Sequence, residues 1–261
     1  MASLGVATVF PDKRGSGASG GDWLDGGYEL LADDALATVA HLRRSLFDGV
    51  DALVGLVGLS EGGRVAPIAA SRPGGGVDFV VSVSSGVLPF LETLDHEIRN
   101  TYREWGLTGE ETADFLAVDA AVVRFAETAG AVEWAEYEEK LETVLGGAQA
   151  ERARRLYPTS TEDKRWRWFR QVMHYEPLTR WQAVDAPAFF AMGEEDEAGN
   201  VPVHRSIELL ESARGSKPDW EIHSYPGSGH GMWEPGQKGR SLNLAFQRDL
   251  RRFVERVLEP R

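Results

Sequence analysis

Short apolar runs recur along this chain with amphipathic stretches between them, and that alternation restricts the fold more than any other feature. Ala52 to Val57 carries no polar side chain, as a strand buried on both faces of a parallel sheet should. Val77 to Val83, Ala186 to Met192 and Trp220 to Tyr225 read as further strands. An earlier apolar run, Gly5 to Phe10, ends in a turn-rich segment from Pro11 to Gly27. Between the runs, Leu30 to Leu46 sets Leu31, Ala35, Val39, Leu42 and Leu46 near one face of a helix. Glu61 to Ser71, Pro202 to Ala213 and Ser241 to Leu258 read as helices as well. Strands alternating with helices predict the α/β class, a mostly parallel sheet flanked by helices.

The rhythm breaks between Leu91 and Trp181. No strand pattern is present there, only helical stretches interrupted at Gly106, Gly130 and Gly146-Gly147. Trp105, Trp134, Trp166, Trp168 and Trp181 all fall in this segment, and Glu133, Glu136, Glu138 and Glu139 read as a solvated helix face. The chain therefore reads as a single α/β domain over 1–261, its core spanning 1–90 and 182–261 and a helical insertion spanning 91–181. At 261 residues it can bury one substantial core.

Composition excludes several functions. The net charge of -13 argues against nucleic acid as a partner, because phosphate binding needs clustered cations. No apolar run approaches the roughly 20 residues of a membrane helix, so no membrane partner is expected. The absence of cysteine rules out disulfides, thiolate metal sites and a cysteine nucleophile. The histidines lack metal-ligand spacing such as His-Glu-x-x-His, so neither metal nor cofactor is expected. The opening residues lack the basic flank and long apolar stretch of a secretory signal, which predicts a cytoplasmic location.

A serine hydroxyl becomes a useful nucleophile when a base removes its proton and a sharp turn presents it outside the sheet. The pattern Gly-x-Ser-x-Gly suits such a turn and occurs twice, around Ser19 and around Ser60. Ser19 lies among turn residues with no helix immediately after it. Ser60 follows the strand Ala52 to Val57 and opens the helix at Glu61, with Gly58 and Gly62 on either side. Only Ser60 stands where an elbow forms; its alternative role is a plain helix N-cap.

Six histidines compete for the role of base. His41, His96 and His174 precede the last strands, His204 lies in a predicted helix and His223 inside a predicted strand. His230 comes just after the strand Trp220 to Tyr225, between Gly229 and Gly231. A carboxylate must then hold the imidazole. The strand Ala186 to Met192 runs into Gly193-Glu194-Glu195-Asp196-Glu197; Asp196 is preferred, and Glu194, Glu195 and Glu197 stay open.

With these segments in place, the chain resembles the α/β-hydrolase superfamily, and most of all bacterial hydrolases related to the prolyl-oligopeptidase and serine-aminopeptidase groups. The resemblance rests on Asp12-Lys13-Arg14-Gly15-Ser16-Gly17-Ala18-Ser19, Gly58-Leu59-Ser60-Glu61-Gly62-Gly63, Gly193-Glu194-Glu195-Asp196 with Val201-Pro202, and Gly229-His230-Gly231. It implies Ser60 as nucleophile, Asp196 as acid and His230 as base, with Asp12 and Arg14 organising the loop beside the elbow. The spacer Glu197 to Asn200 is longer than is usual there. It also implies a cap in the 91–181 segment. In that family further strands and a His-Gly-type oxyanion loop precede the Asp-Lys-Arg-Gly turn, and only Met1 to Phe10 stand before Pro11. An N-terminally truncated fold is thus expected. Three accounts are open: a start upstream of Met1, strands supplied by another chain or a swapped homodimer, and a rearranged fold with impaired activity. A chain extended upstream would also be free to carry a signal peptide.

The function expected is cleavage of a carboxylic ester through an acyl-enzyme, with the backbone N–H of Glu61 as oxyanion donor. A serine peptidase acting on short peptides uses the same machinery. The alternative of another kind is a non-catalytic or impaired fragment serving as a binding or assembly domain.

Overall fold

A computed structural model describes residues 5–45 and 52–259. Four parallel strands form its sheet in the order β1-β2-β3-β4: β1 (Gly55–Leu59), β2 (Phe79–Val83), β3 (Ala188–Gly193) and β4 (Trp220–Tyr225). The register pairs Leu56 with Val80, Val80 with Ala188 and Ala188 with Trp220. Side chains alternate between the sheet faces. Val80, Ala188, Phe190 and Met192 pack with α2 (Gly62–Ala70), α8 (Pro177–Gln182) and α9 (Val203–Arg214) on one face. Val81, Val83, Phe189 and Ala191 meet Phe253 and Val254 of α10 (Leu244–Leu258) on the other. β3 is buried at every position, which is why Ala188 to Met192 is apolar without a break.

α1 (Tyr28–Ser45) packs beside α2 and buries Leu31 and Val39, two positions of its expected stripe. The expected continuation to Leu46 lies outside the described residues. The strand expected over Ala52 to Val57 is instead β1, shifted toward Leu59, because its ladder to β2 runs on through Gly58↔Ser82 and Leu59↔Val83.

The apolar run Gly5 to Phe10 adds no strand to the sheet. Its described backbone makes no ladder with the sheet, and Val9 and Phe10 are exposed. An apolar run becomes a strand only when a neighbour takes its N–H and C=O groups, and none of the four strands does so. Among the described residues β1 has no partner on one edge, and Val57 and Leu59 are 65% and 55% exposed. That edge opens onto a groove of about 520 Å³ bordered by Pro11 to Arg14, α1 and α2.

Between β2 and β3 the chain is helical: α3 (Phe90–Glu104), α4 (Gly109–Thr128), α5 (Ala131–Leu145), α6 (Ala150–Leu156), α7 (Lys164–Val172) and then α8. Three of the breaks fall at the glycines expected, and those before α7 and α8 contain no glycine. A capping box at Thr108 and Glu111 starts α4. Tyr102, Phe115, Tyr137 and Trp166 are buried where these helices meet, in one apolar cluster that continues to Leu31 and Ile68 of α1 and α2. Among the described residues no helix is long and apolar enough to cross a membrane.

Candidate active site

In a parallel sheet the C-terminal strand ends share one rim, and loops leaving them converge there. Ser60 follows β1, Asp196 follows β3 and His230 follows β4, so three residues far apart in sequence meet at that rim.

Ser60 adopts a left-handed conformation, φ 53°, which an L-residue avoids because its Cβ crowds the following carbonyl oxygen. The turn is fixed on both sides: Ser60 N–H donates to Val83 O at 2.9 Å, and Gly63 N–H donates to Ser60 O at 2.9 Å. The close approach depends on two glycines. A Cβ on Gly58 would stand 2.2 Å from Gly62 O, and one on Gly63 would stand 2.4 Å from Ser85 Cβ. Gly62, expected as an elbow residue, has open space on its Cβ side. Glu61 caps α2, and its N–H finds no acceptor among the described residues. Its side chain meets Lys13, which ties the elbow to the preceding loop.

That loop is organised by Asp12 and Arg14. Asp12 Oδ2 accepts from Ala18 N–H at 2.8 Å, and Arg14 forks onto Asp34 at 2.6 and 2.9 Å. Ser19, the rejected match, spends its hydroxyl on Asp12 O at 2.9 Å and closes a turn.

His230 Nδ1 stands 2.7 Å from Asp196 Oδ2. A carboxylate only accepts, so Nδ1 carries the proton and Nε2 is the basic nitrogen. Asp196 sits in a 3-10 turn, Glu194–Ala198, and is 3% exposed. Its other oxygen accepts from Asn200 N–H at 3.2 Å, and its carbonyl accepts from Gly199 and Val201. The long spacer thus folds back to hold the carboxylate. Glu194 and Glu197 are engaged elsewhere, with Ser224 and His204. The Asp196 hydrogen bond raises the His230 pKa above its ordinary 6.5, against a lowering by burial.

Ser60 and His230 line one cavity of about 540 Å³ at the sheet rim, with no direct hydrogen bond between them. The wall also includes Tyr28, Arg64 and Phe90, which sequence reasoning missed, and Trp168 of the helical insertion. Arg64 lies four residues after Ser60, in the first turn of α2, and that proximity is the one signal available beforehand. It donates to Tyr28 Oη at 3.1 Å and lies over the Phe90 ring at 5.2 Å. The other histidines are occupied differently. His223 stacks on Phe189 inside the sheet, His96 meets Asn100, and His204 pairs with Glu197. Among the described residues no group of three His, Asp or Glu side chains could hold a metal ion.

A family profile described as alpha/beta hydrolase family matches residues 1–257. No curated protein matches the chain. Solved structures share the fold at low identity. MenH from S. aureus is 14% identical over 95% of this chain and 83% of its own, with a TM-score of 0.51. A thermophilic esterase from Thermogutta terrifontis is 16% identical over 95% and 79%, with a TM-score of 0.51. An esterase from Pyrococcus furiosus is 16% identical over 94% and 68%, again with a TM-score of 0.51.

Proposed function

The chain belongs to the alpha/beta hydrolase family, and from that premise we propose that it is a serine hydrolase that cleaves a carboxylic ester. Ser60 Oγ attacks the ester carbonyl while His230 Nε2 takes its proton. Asp196 holds the imidazole and favours the imidazolium that forms. The Glu61 N–H stabilises the oxyanion at the start of α2. His230 then returns the proton to the leaving alkoxide, and water, deprotonated by the same imidazole, cleaves the acyl-enzyme.

The observation that carries this reading is the 2.7 Å Asp196–His230 pair facing the cavity that the left-handed Ser60 enters. Catalytic hydrogen bonds to the nucleophile are often longer before substrate binds, so a Ser60–His230 bond belongs to the reacting complex. Helices α3 to α7 act as a cap, and Trp168 gives the cavity an apolar, aromatic wall suited to a small organic ester.

A panel of p-nitrophenyl esters set against aminoacyl-p-nitroanilides tests the bond type. Turnover of the esters, lost in Ser60→Ala, is the expected result. Turnover of anilides alone would make the enzyme a peptidase, and no turnover of either would favour a non-catalytic binding role.

A further inference from the structure

A second cavity, of about 550 Å³, lies among α3, α4 and α7 and shares Leu94, Glu97, Trp168 and Phe169 with the catalytic one. Its walls are mainly apolar, with Ile98, Leu116 and Val123 facing Trp23 and Trp166. Such a chamber takes an apolar group by burial alone. Its charges ask for something more specific.

Asp119 lines this chamber without a cation within ion-pair distance among the described residues. Its oxygens accept from two tyrosines instead, Tyr102 at 2.7 Å and Tyr157 at 2.8 Å. The two arginines on the wall are already committed. Arg99 is paired with Asp95 at 2.8 Å, and Arg165 with Asp163 at 2.7 Å. Glu97, at the passage into the catalytic cavity, also has no ion-pair partner among the described residues; burial raises its pKa, and Arg64, which also lines the catalytic cavity, is the largest influence favouring its charge. The chamber therefore holds carboxylates in excess of cations, enclosed by indole and phenol rings whose faces attract cations.

We propose that this chamber receives an apolar arm of the substrate ending in a protonated amine, with Asp119 as its counter-ion. The inference deepens the hydrolase reading, since the arm would run past Glu97 and Trp168 while the ester lies at Ser60. The ammonium replaces water in a half-buried site where a charged hydrogen bond is worth more than at the surface. The two tyrosines fix the Asp119 carboxylate in place before the ligand arrives. Each keeps an oxygen lone pair, so the pair can help solvate the incoming cation.

The test is binding, so that it does not depend on catalysis. Octylammonium, octanol and octanoate are titrated into the purified chain at pH 8, above the pKa of about 6 to which burial raises Asp119, and followed by the fluorescence of Trp23, Trp166 and Trp168. Octylammonium should bind about tenfold or more tighter than octanol, with octanoate weakest. Asp119→Asn keeps the shape and should reduce that preference to about threefold or less while octanol binds as before. Equal binding of the three ligands to the wild type would overturn the proposal, and that series decides alone if Asp119→Asn does not fold. A preference that survives in Asp119→Asn would overturn the role of Asp119. Ser60→Ala should bind octylammonium as the wild type does, so failure of the hydrolase reading and failure of this one give different results.

Discussion

Asp196 and His230 meet at 2.7 Å although 33 residues of helix, strand and loop separate them, because β3 and β4 lie side by side and release their chains at one rim. The carboxylate is almost wholly buried and the imidazole is one-third exposed at its side chain. A buried carboxylate costs free energy unless hydrogen bonds compensate it, and Asn200 N–H and the imidazole supply them. The pair thus has one end fixed in the protein and the other open to the cavity, as an oriented base requires.

Asp196→Asn removes the largest cause that raises His230, while the lowering by burial remains. A base works only when unprotonated, so wild-type kcat/KM should fall on acidification with a midpoint above 6.5. In Asp196→Asn the midpoint should move to lower pH and the plateau should drop by roughly 10³- to 10⁴-fold. A pH–rate profile of both proteins measures this.

Ser60 is held at φ 53°, a conformation that favours glycine. Ser60→Gly should melt as the more stable of two inactive variants, exceeding Ser60→Ala by about 1 kcal/mol. Urea denaturation of the two reads the strain that the turn imposes at position 60.

Gly58→Ala pushes a methyl to 2.2 Å from Gly62 O, a backbone atom that cannot turn aside. Loss of roughly 1–3 kcal/mol is expected, together with a displaced Ser60. Gly62→Ala meets nothing within 4 Å and should not lower the melting temperature. Thermal denaturation of the pair separates close approach from mere glycine content.

Thr108→Ala breaks the capping box, in which Thr108 Oγ1 accepts from Glu111 N–H at 3.2 Å. About 1 kcal/mol of stability should be lost, read by chemical denaturation. α4 also carries Asp119, so weaker octylammonium binding in this variant would show that the helix start helps to position the carboxylate.

Much of the fold was legible because its signals are local. An unbroken apolar run such as Ala188 to Met192 must be buried on both faces, and glycines at 106, 130 and 146 mark helix ends whatever lies around them. The placement of Ser60, Asp196 and His230 beyond strand ends was legible for a related reason, each following an apolar run in the sequence. Whether the apolar run Gly5 to Phe10 would join the sheet was not legible, because strand formation depends on a partner, which a one-dimensional pattern does not contain. Tyr28, Phe90 and Arg64 reach the cavity through helix packing, and the contacts of Asp119 with Tyr102 and Tyr157 span 17 and 38 residues. No spacing rule connects such positions. The sequence also presented Gly58 and Gly62 as equivalent, and only the backbone geometry shows that Gly58 and Gly63 are the constrained pair.

Activation of Ser60 as a nucleophile is read directly by covalent labelling. The purified chain is treated with a fluorophosphonate, digested, and searched by mass spectrometry for the modified peptide. One adduct is expected, on the peptide containing Ser60, absent in Ser60→Ala and strongly slowed in His230→Ala. An unlabelled chain, or a phosphonyl group on Ser19 or another serine, would contradict it.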